Sequence, residues 1–346
     1  MFPALYRPIR SVFRSFHTYH RLQTNRAIIY SRTGPPPEVI SVLSYPSLPP
    51  PSPGTLNLRF VLSPINPSDI NVIEGVYPLK PPPSHLSLIT PHTFIAGNEG
   101  LAEVRGVGEG VYSFSDGDWV VLTKQQGGTW NTAVNVDALD VVKIPRKSNL
   151  TEVNAATMTV RIHKVNHPTA YNMLKDFVDL IPGDWVVQNG ANSAVGQSVI
   201  QIAKARGLKT LNLIRNRDDI SELKQELTDL GATCVATYDE LADKSMKSKI
   251  KEWTDGKDIR LALNCIGGQP ASDMARLLGR DAHLVSYGAM SKQPLSLPTS
   301  LFLFKNLTSH GFWQSRWYQQ HSRDDRENLI KTLVDLMNDG KVSVIR

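Results

Sequence analysis

The first 37 residues contain no acidic side chain, and the whole chain of 346 residues has only two cysteines. The missing acid localises the charge: Arg7, Arg10, Arg14, Arg21, Arg26 and Arg32 account for the entire formal net charge of +6, which leaves the remainder neutral. A neutral body has no excess of base to displace counterions from phosphates, so a nucleic-acid partner loses its main support. The two cysteines, Cys234 and Cys265, have no Cys or His companion at ligand spacing. That excludes a disulfide scaffold, argues against a zinc site, and leaves both as small buried apolar side chains. No apolar run reaches the roughly 20 residues that a membrane-spanning helix needs. With 41% hydrophobic and 20% charged residues, global disorder is excluded too.

What is present suggests two domains behind a leader. Leu5, Ile9, Val12, Phe13 and Phe16 recur at helical spacing against the arginines, with Ser11, Ser15 and Thr18 between them. This amphipathic, Arg-rich, acid-free pattern is that of a mitochondrial presequence over residues 1–25, removed between Tyr19 and Arg26; the alternative is a disordered basic tail. From residue 26 to about 155 the chain is rich in Pro and Gly, with short alternating runs such as LNLRFVLSPI, GLAEVRGVGEGV and DWVVLTK, which predict a β-rich domain. From 156 to 304 strand and helix alternate. WVVQN at Trp185 to Asn189 leads into a helix, TLNLIR is the second strand, and ISELKQELTDLG is a helix closed by Gly231. TCVAT, IRLALNCIGG and AHLVSYGAM supply three more strands. Such alternation predicts a doubly wound parallel sheet of the Rossmann type. LPTSLFLFKNL reads as an apolar strand able to pair with its copy in a homodimer, with an interior strand as the alternative, and residues 305–346 as a partial return to the first domain.

Between the first strand and its helix lies Gly190-Ala191-Asn192-Ser193-Ala194-Val195-Gly196, which departs from G-x-G-x-x-G. Its context is nevertheless that of a pyrophosphate site, because small residues at a helix N-terminus let backbone N–H groups approach an anion. A tight turn without a ligand is the alternative. The second strand ends in Arg215-Asn216-Arg217, where an NAD-binding chain would carry an acid for the ribose hydroxyls. Two guanidinium groups suit a 2′-phosphate instead and favour NADPH; otherwise they are solvated surface charges.

The sequence resembles the medium-chain dehydrogenase/reductase superfamily, whose fold is a GroES-like β-rich catalytic domain plus a Rossmann domain. The zinc members carry His-Glu motifs where this chain has Gly97-Asn98-Glu99-Gly100, so no metal is expected. INPSDINVIEGVYP, AGNEG, GGTW, DFVDLIPGDWVVQN, LIRNR and GFW together are similar to the mitochondrial 2-enoyl thioester reductase branch. That resemblance implies NADPH-dependent reduction of trans-2-enoyl thioesters, carried on acyl carrier protein or coenzyme A, in fatty acid synthesis in the mitochondrial matrix. It implies Tyr77 as proton donor. It also implies Asn166, Asn192, Ser193, Ala194, Val195, Tyr287, Gly288, Ala289, Met290, Phe312 and Trp313 as cofactor contacts, beside Arg215, Asn216 and Arg217. Asn98 and Trp130 would line the acyl pocket, with packing as the alternative for each.

Two departures stand out. Arg161 to Val165 look inserted beside Asn166, and a helix break is expected at Pro168. The family pattern also continues with a final strand-helix-strand portion that is not found after Arg346, which implies an incomplete version of such a reductase. Two rival readings therefore stay open: a zinc-free NADPH quinone oxidoreductase, and a catalytically inactive protein that keeps NADPH binding or dimer contacts.

Overall fold

The computed structural model describes residues 24–83, 92–124, 126–144, 166–243 and 245–343. The predicted leader helix, the inserted Arg161 to Val165 and the boundary near residue 155 lie outside them. The first domain holds β1 (Asn25–Tyr30), α1 (Pro36–Val39), β2 (Ser41–Tyr45), β3 (Thr55–Leu62), α2 (Pro67–Glu74), β4 (Phe94–Ile95), β5 (Leu101–Val107), β6 (Trp119–Leu122), β7 (Ala133–Asp137) and β8 (Val141–Ile144). These strands form a three-stranded sheet, β2-β1-β4, and a five-stranded antiparallel sheet, β7-β3-β5-β6-β8. Asn25, placed in the leader by the sequence, already belongs to β1 and pairs with Tyr45.

The second domain holds α3 (Asn166–Lys175), β9 (Trp185–Asn189), α4 (Ala194–Ala205), β10 (Lys209–Ile214), α5 (Ile220–Leu230), β11 (Cys234–Thr237), α6 (Tyr238–Ala242) and α7 (Ser245–Trp253). It continues with β12 (Ile259–Asn264), α8 (Gly268–Ala275), β13 (Leu278–Ser286), α9 (Thr299–Lys305), β14 (Thr308–Gly311), α10 (Gln314–Gln320) and α11 (Arg323–Asn338). Its six strands are all parallel, in the order β11-β10-β9-β12-β13-β14. The order reverses between β9 and β12, which is where a doubly wound sheet opens its ligand crevice. Helices cover both faces, so the inner strands read as near-continuous apolar runs. On one face Val195, Val199, Ile202 and Ala203 of α4 pack on Val186, Leu261, Leu263 and Val285; on the other lie Val187, Leu211, Leu213, Ala262 and Leu284. Each buried Val, Leu or Ile contributes about 1.5–3 kcal/mol of transfer free energy.

Three expectations need correction. LPTSLFLFKNL is not a strand: Pro298 sets the start of α9 and Asn306, in the left-handed conformation, ends it, so the sheet edge falls to β14. The Rossmann sheet therefore extends to Gly311, past the boundary at 304, and the return towards the first domain begins after it. That return is made by α11, where Leu329 and Leu333 pack into the second domain's core, while Ile330 and Val334 pack on Leu101, Trp119, Val121 and Ile144 of the first. Pro168 does not break a helix either. It sits in the first turn of α3, where its missing N–H costs no hydrogen bond. Of the cysteines, Cys265 is buried and Cys234 half-buried. No helix among the described residues is long and apolar enough to cross a membrane.

Candidate active site

The turn between β9 and α4 is built on two glycines with no room for a side chain. Gly190 has φ +61° and lies where a Cβ would meet Cys265 Sγ; a Cβ on Gly196 would sit 2.6 Å from the Ala191 backbone. That close approach seats the N-terminus of α4 directly on the turn. Ser193 caps it, its hydroxyl accepting from Gly196 N–H at 3.1 Å. Asn192 is exposed, Ser193 and Ala194 are half-buried, and Val195 turns into the core.

Arg215, Asn216 and Arg217 follow β10 as an exposed triplet. Arg217 Nε lies 2.7 Å from Asp219, and Arg215 lies near the Tyr238 phenol. Tyr238 escaped the sequence reading. Its hydroxyl accepts from Gly190 N–H at 2.9 Å, tying β11 to the dinucleotide turn. Burial pushes its pKa up to about 12, so the phenol stays neutral. The available signal was its place just past the carboxyl end of a parallel strand.

Asn189 and Asn264 were missed too. They meet across β9 and β12, Asn189 Nδ2 donating to Asn264 Oδ1 at 2.8 Å. Asn189 Oδ1 accepts from Cys265 N–H, and Asn264 Oδ1 from Ile266 and Gly267 N–H. These bonds satisfy backbone donors where the strands diverge. Beside them stands the half-buried Tyr287, whose enclosed hydroxyl lies near Cys265 and Ser193, and desolvation raises its pKa well above the usual tyrosine range. Gly288, Ala289 and Met290 are exposed, with Met290 N–H donating to Cys265 O.

Trp313 brings the two domains together. Its indole N–H donates to Tyr77 Oη at 3.1 Å, and the rings meet edge-on at 6.5 Å. Its neighbour Phe312 anchors to β13 through Ser286 O and packs edge-on against Phe177. Asn166 opens α3, half-buried, six residues before Asn172, whose amide donates to Gln314 Oε1 at 3.3 Å. The expected acyl-pocket residues are held within the first domain. Asn98 is only 4% exposed, its Oδ1 accepts from Gln126 N–H, and its amide nitrogen is shut away from solvent. Trp130 donates to Pro64 O, packs with Tyr30, Ile73 and Ala96, and covers Gly97, where a Cβ would meet its ring at 2.3 Å. It also borders a cavity of about 610 Å³ that holds no other predicted site residue.

Among the described residues no group of three or more His, Cys, Asp or Glu side chains is placed to hold a metal ion. Residues 52–146 match the alcohol dehydrogenase GroES-like domain and residues 194–335 the zinc-binding dehydrogenase domain. The mitochondrial enoyl-acyl-carrier-protein reductase of Schizosaccharomyces pombe is 42% identical over 92% of this chain and 85% of its own length. The chain belongs to that family. The enzyme of the same name from Yarrowia lipolytica is 45% identical over 88% of this chain and 79% of its own. Among solved structures, the mitochondrial 2-enoyl thioester reductase Etr1p/Etr2p heterodimer from Candida tropicalis matches with a TM-score of 0.87 and 36% identity, covering 93% of this chain and 91% of that one. An Etr1p complex with NADP and crotonyl-CoA matches at 0.88 over the same shares and with the same identity. Likeness to a quinone reductase from Bacillus thuringiensis, at 23% identity and a TM-score of 0.75 over 93% of this chain and 89% of that one, shows the fold alone. Within the family, the two-domain α/β architecture is the one read from the sequence.

Proposed function

We propose that this chain is a mitochondrial, NADPH-dependent reductase of trans-2-enoyl thioesters carried on acyl carrier protein or coenzyme A. The observation that carries the reading is the bond between Tyr77 and Trp313, which sets a phenol of the first domain against the second, dinucleotide-binding domain. The cofactor cradle supports it, since Gly190 and Gly196 leave backbone space where a pyrophosphate needs it and Ser193 orders the helix end. Asn192, Ser193, Ala194 and Val195 would hold the pyrophosphate, and Arg215 with Arg217 the 2′-phosphate. NADPH supplies the hydride that adds to Cβ of the substrate.

The protein's own task is then to manage the charge that develops. Addition at Cβ leaves an enolate spread over Cα and the thioester oxygen, and a proton must reach Cα. The Tyr77 hydroxyl is the donor, and the Trp313 N–H bond to its oxygen helps to orient the phenol. The test is NADPH oxidation, followed by absorbance, on adding a trans-2-enoyl-CoA, with NADH and a quinone as controls. NADPH-specific turnover of the enoyl thioester alone is expected; turnover of the quinone alone, or NADPH binding without turnover, would overturn the reading.

Cofactor choice gives a separate prediction. Replacing Arg215 and Arg217 together by glutamate is expected to raise KM for NADPH by about tenfold or more, because charge-assisted bonds to the phosphate each contribute about 1.5–3 kcal/mol. KM for NADH should hold or fall. Equal shifts for both cofactors would remove the 2′-phosphate assignment.

The same reading includes a homodimer. Among the described residues β14 pairs with β13 on one side only, and next to it α9 exposes Leu303 (71%) and Phe304 (76%). An open strand edge flanked by exposed apolar side chains is suited to pairing about a two-fold axis. Sedimentation should show Leu303→Glu/Phe304→Glu as a monomer where the unchanged chain is a dimer. A variant that remains dimeric would place the interface elsewhere.

A further inference from the structure

Tyr77 stands on the first domain, so that domain sets where its backbone lies, whatever Trp313 does to orient the ring. It follows α2 directly: Gly75 ends the helix in the left-handed conformation at φ 80°, and the N–H groups of Val76 and Tyr77 both donate to Asn71 O. The place of the phenol is therefore set by the place of α2. The start of that helix is held by a capping box in which Asn66 N–H donates to Asp69 Oδ2 at 2.8 Å. Asn66 also makes a bond that capping does not require, its Nδ2 donating to Glu99 Oε2 at 2.6 Å.

Glu99 is only 2% exposed, an expensive place for a carboxylate unless it is put to use. Its surroundings are tightly tied. Thr129 Oγ1 donates to Glu99 O at 2.6 Å, Ser63 Oγ to Thr129 O at 2.7 Å, and Trp130 Nε1 to Pro64 O at 3.1 Å. The chain segments around residues 63–64, 97–100 and 127–130 thus form one laced block, and the Glu99–Asn66 bond fastens the start of α2 to it. Eight helical residues span about 12 Å, so a pivot of roughly 5° at the fastened end moves the far end by about 1 Å. A displacement of that size is enough to cost about 10²-fold in rate.

We propose that Glu99 and Asn66 are positioning residues for the proton donor, their buried hydrogen bond fixing α2 so that the Tyr77 hydroxyl meets one face of the substrate's Cα. This rests on the reading of Tyr77 as proton donor. The chemistry offers a readout that general damage to the fold does not imitate. Hydride adds to Cβ and a solvent-derived proton adds to Cα; in D2O a fixed donor therefore places deuterium on a single face of Cα, while a misplaced one lets water deliver it to both.

The test is a swap of donor and acceptor. Asn66→Asp keeps an equally good helix cap but sets a third carboxylate beside Asp69 and Glu99 in place of the amide donor. Its kcat with a trans-2-enoyl-CoA should fall about ten- to hundredfold, with deuterium on both faces of Cα by NMR and the Kd for NADPH within about twofold of the original. The double variant Asn66→Asp/Glu99→Gln restores a donor opposite an acceptor and the original number of carboxylates, and should regain most of kcat and the single labelled face. Asn66→Ser, which caps the helix but is too short to reach Glu99, covers the case in which Asn66→Asp does not fold; it should lose rate and face selectivity together. Single-face labelling at full rate in either Asn66 variant, or no recovery in a folded double variant, would overturn the proposal. Tyr77→Phe measured alongside separates the two ideas. If it retains turnover the reading of Tyr77 fails, and if it alone loses turnover only the role of the pair fails.

Discussion

Replacement of Tyr77 by phenylalanine is expected to lower kcat for enoyl-thioester reduction by about 10²- to 10⁴-fold, the range that a positioned general acid supplies. The change removes one oxygen and its proton. The ring stays, and with it the edge-on contact to Trp313, so the midpoint of thermal unfolding should move little. The Trp313 N–H loses its acceptor, but at a half-buried position water replaces it at small cost. Binding of NADPH, which the proposed reading gives to the turn at Gly190 and the arginines after β10, should be unchanged. A large loss in kcat with cofactor affinity intact therefore separates proton delivery from binding, and stopped-flow absorbance with fluorescence titration measures both. Turnover within a fewfold of the unchanged chain would show that the proton comes from elsewhere and would reopen the quinone reading.

Legibility in the sequence followed the range of the forces involved. Trp185–Asn189 was readable as a strand to the residue, because an apolar run bounded by a Pro-Gly-Asp turn and a small-residue turn has one way to be buried. Gly231 was readable as a helix stop for an equally local reason, and it adopts φ +112°. LFLF was misread because its apolar pattern suits a strand as well as a helix, and the choice was made by Pro298 and Asn306 at its ends. The site divides in the same way. Tyr77 stood out through its flanking motif, but its partner Trp313 lies 236 residues away and the pairing exists only once α11 has locked the two domains. Asn98 stood out through its motif as well, but its bond to Gln126 N–H and the enclosure of its amide nitrogen are set by a segment 28 residues away. Tyr238, Asn189 and Asn264 carried no motif. Their roles come from strand order, which sets β11, β10, β9 and β12 side by side, and no local spacing encodes that order.

Gly196 carries the largest expected effect on stability, and its cause is backbone against backbone. A Cβ there lies 2.6 Å from both Ala191 Cα and Ala191 O, closer than real side-chain carbons come, and no flexible neighbour is able to yield. The contact is what lets α4 start directly on the turn, and Gln188 Nε2 reinforces it by donating to Gly196 O at 2.9 Å. Gly196→Val must push the helix off the sheet, taking Val195 and Val199 out of register with Val186 and Leu263. Overpacking of this kind costs about 3 kcal/mol, and for a chain of 346 residues each kcal/mol lowers Tm by roughly 1–2 °C. A fall of about 3–6 °C is expected on that arithmetic. NADPH affinity should fall with it, since the N–H groups of the helix start no longer converge. Gly54→Ala is the matched control. Its φ of +77° makes any side chain strained but nothing lies within 4 Å, so only the conformational cost of about 1–2 kcal/mol applies. Differential scanning calorimetry and cofactor titration on the two variants decide the matter: equal losses in both would mean that the approach of α4 to the turn is not what holds the dinucleotide site together.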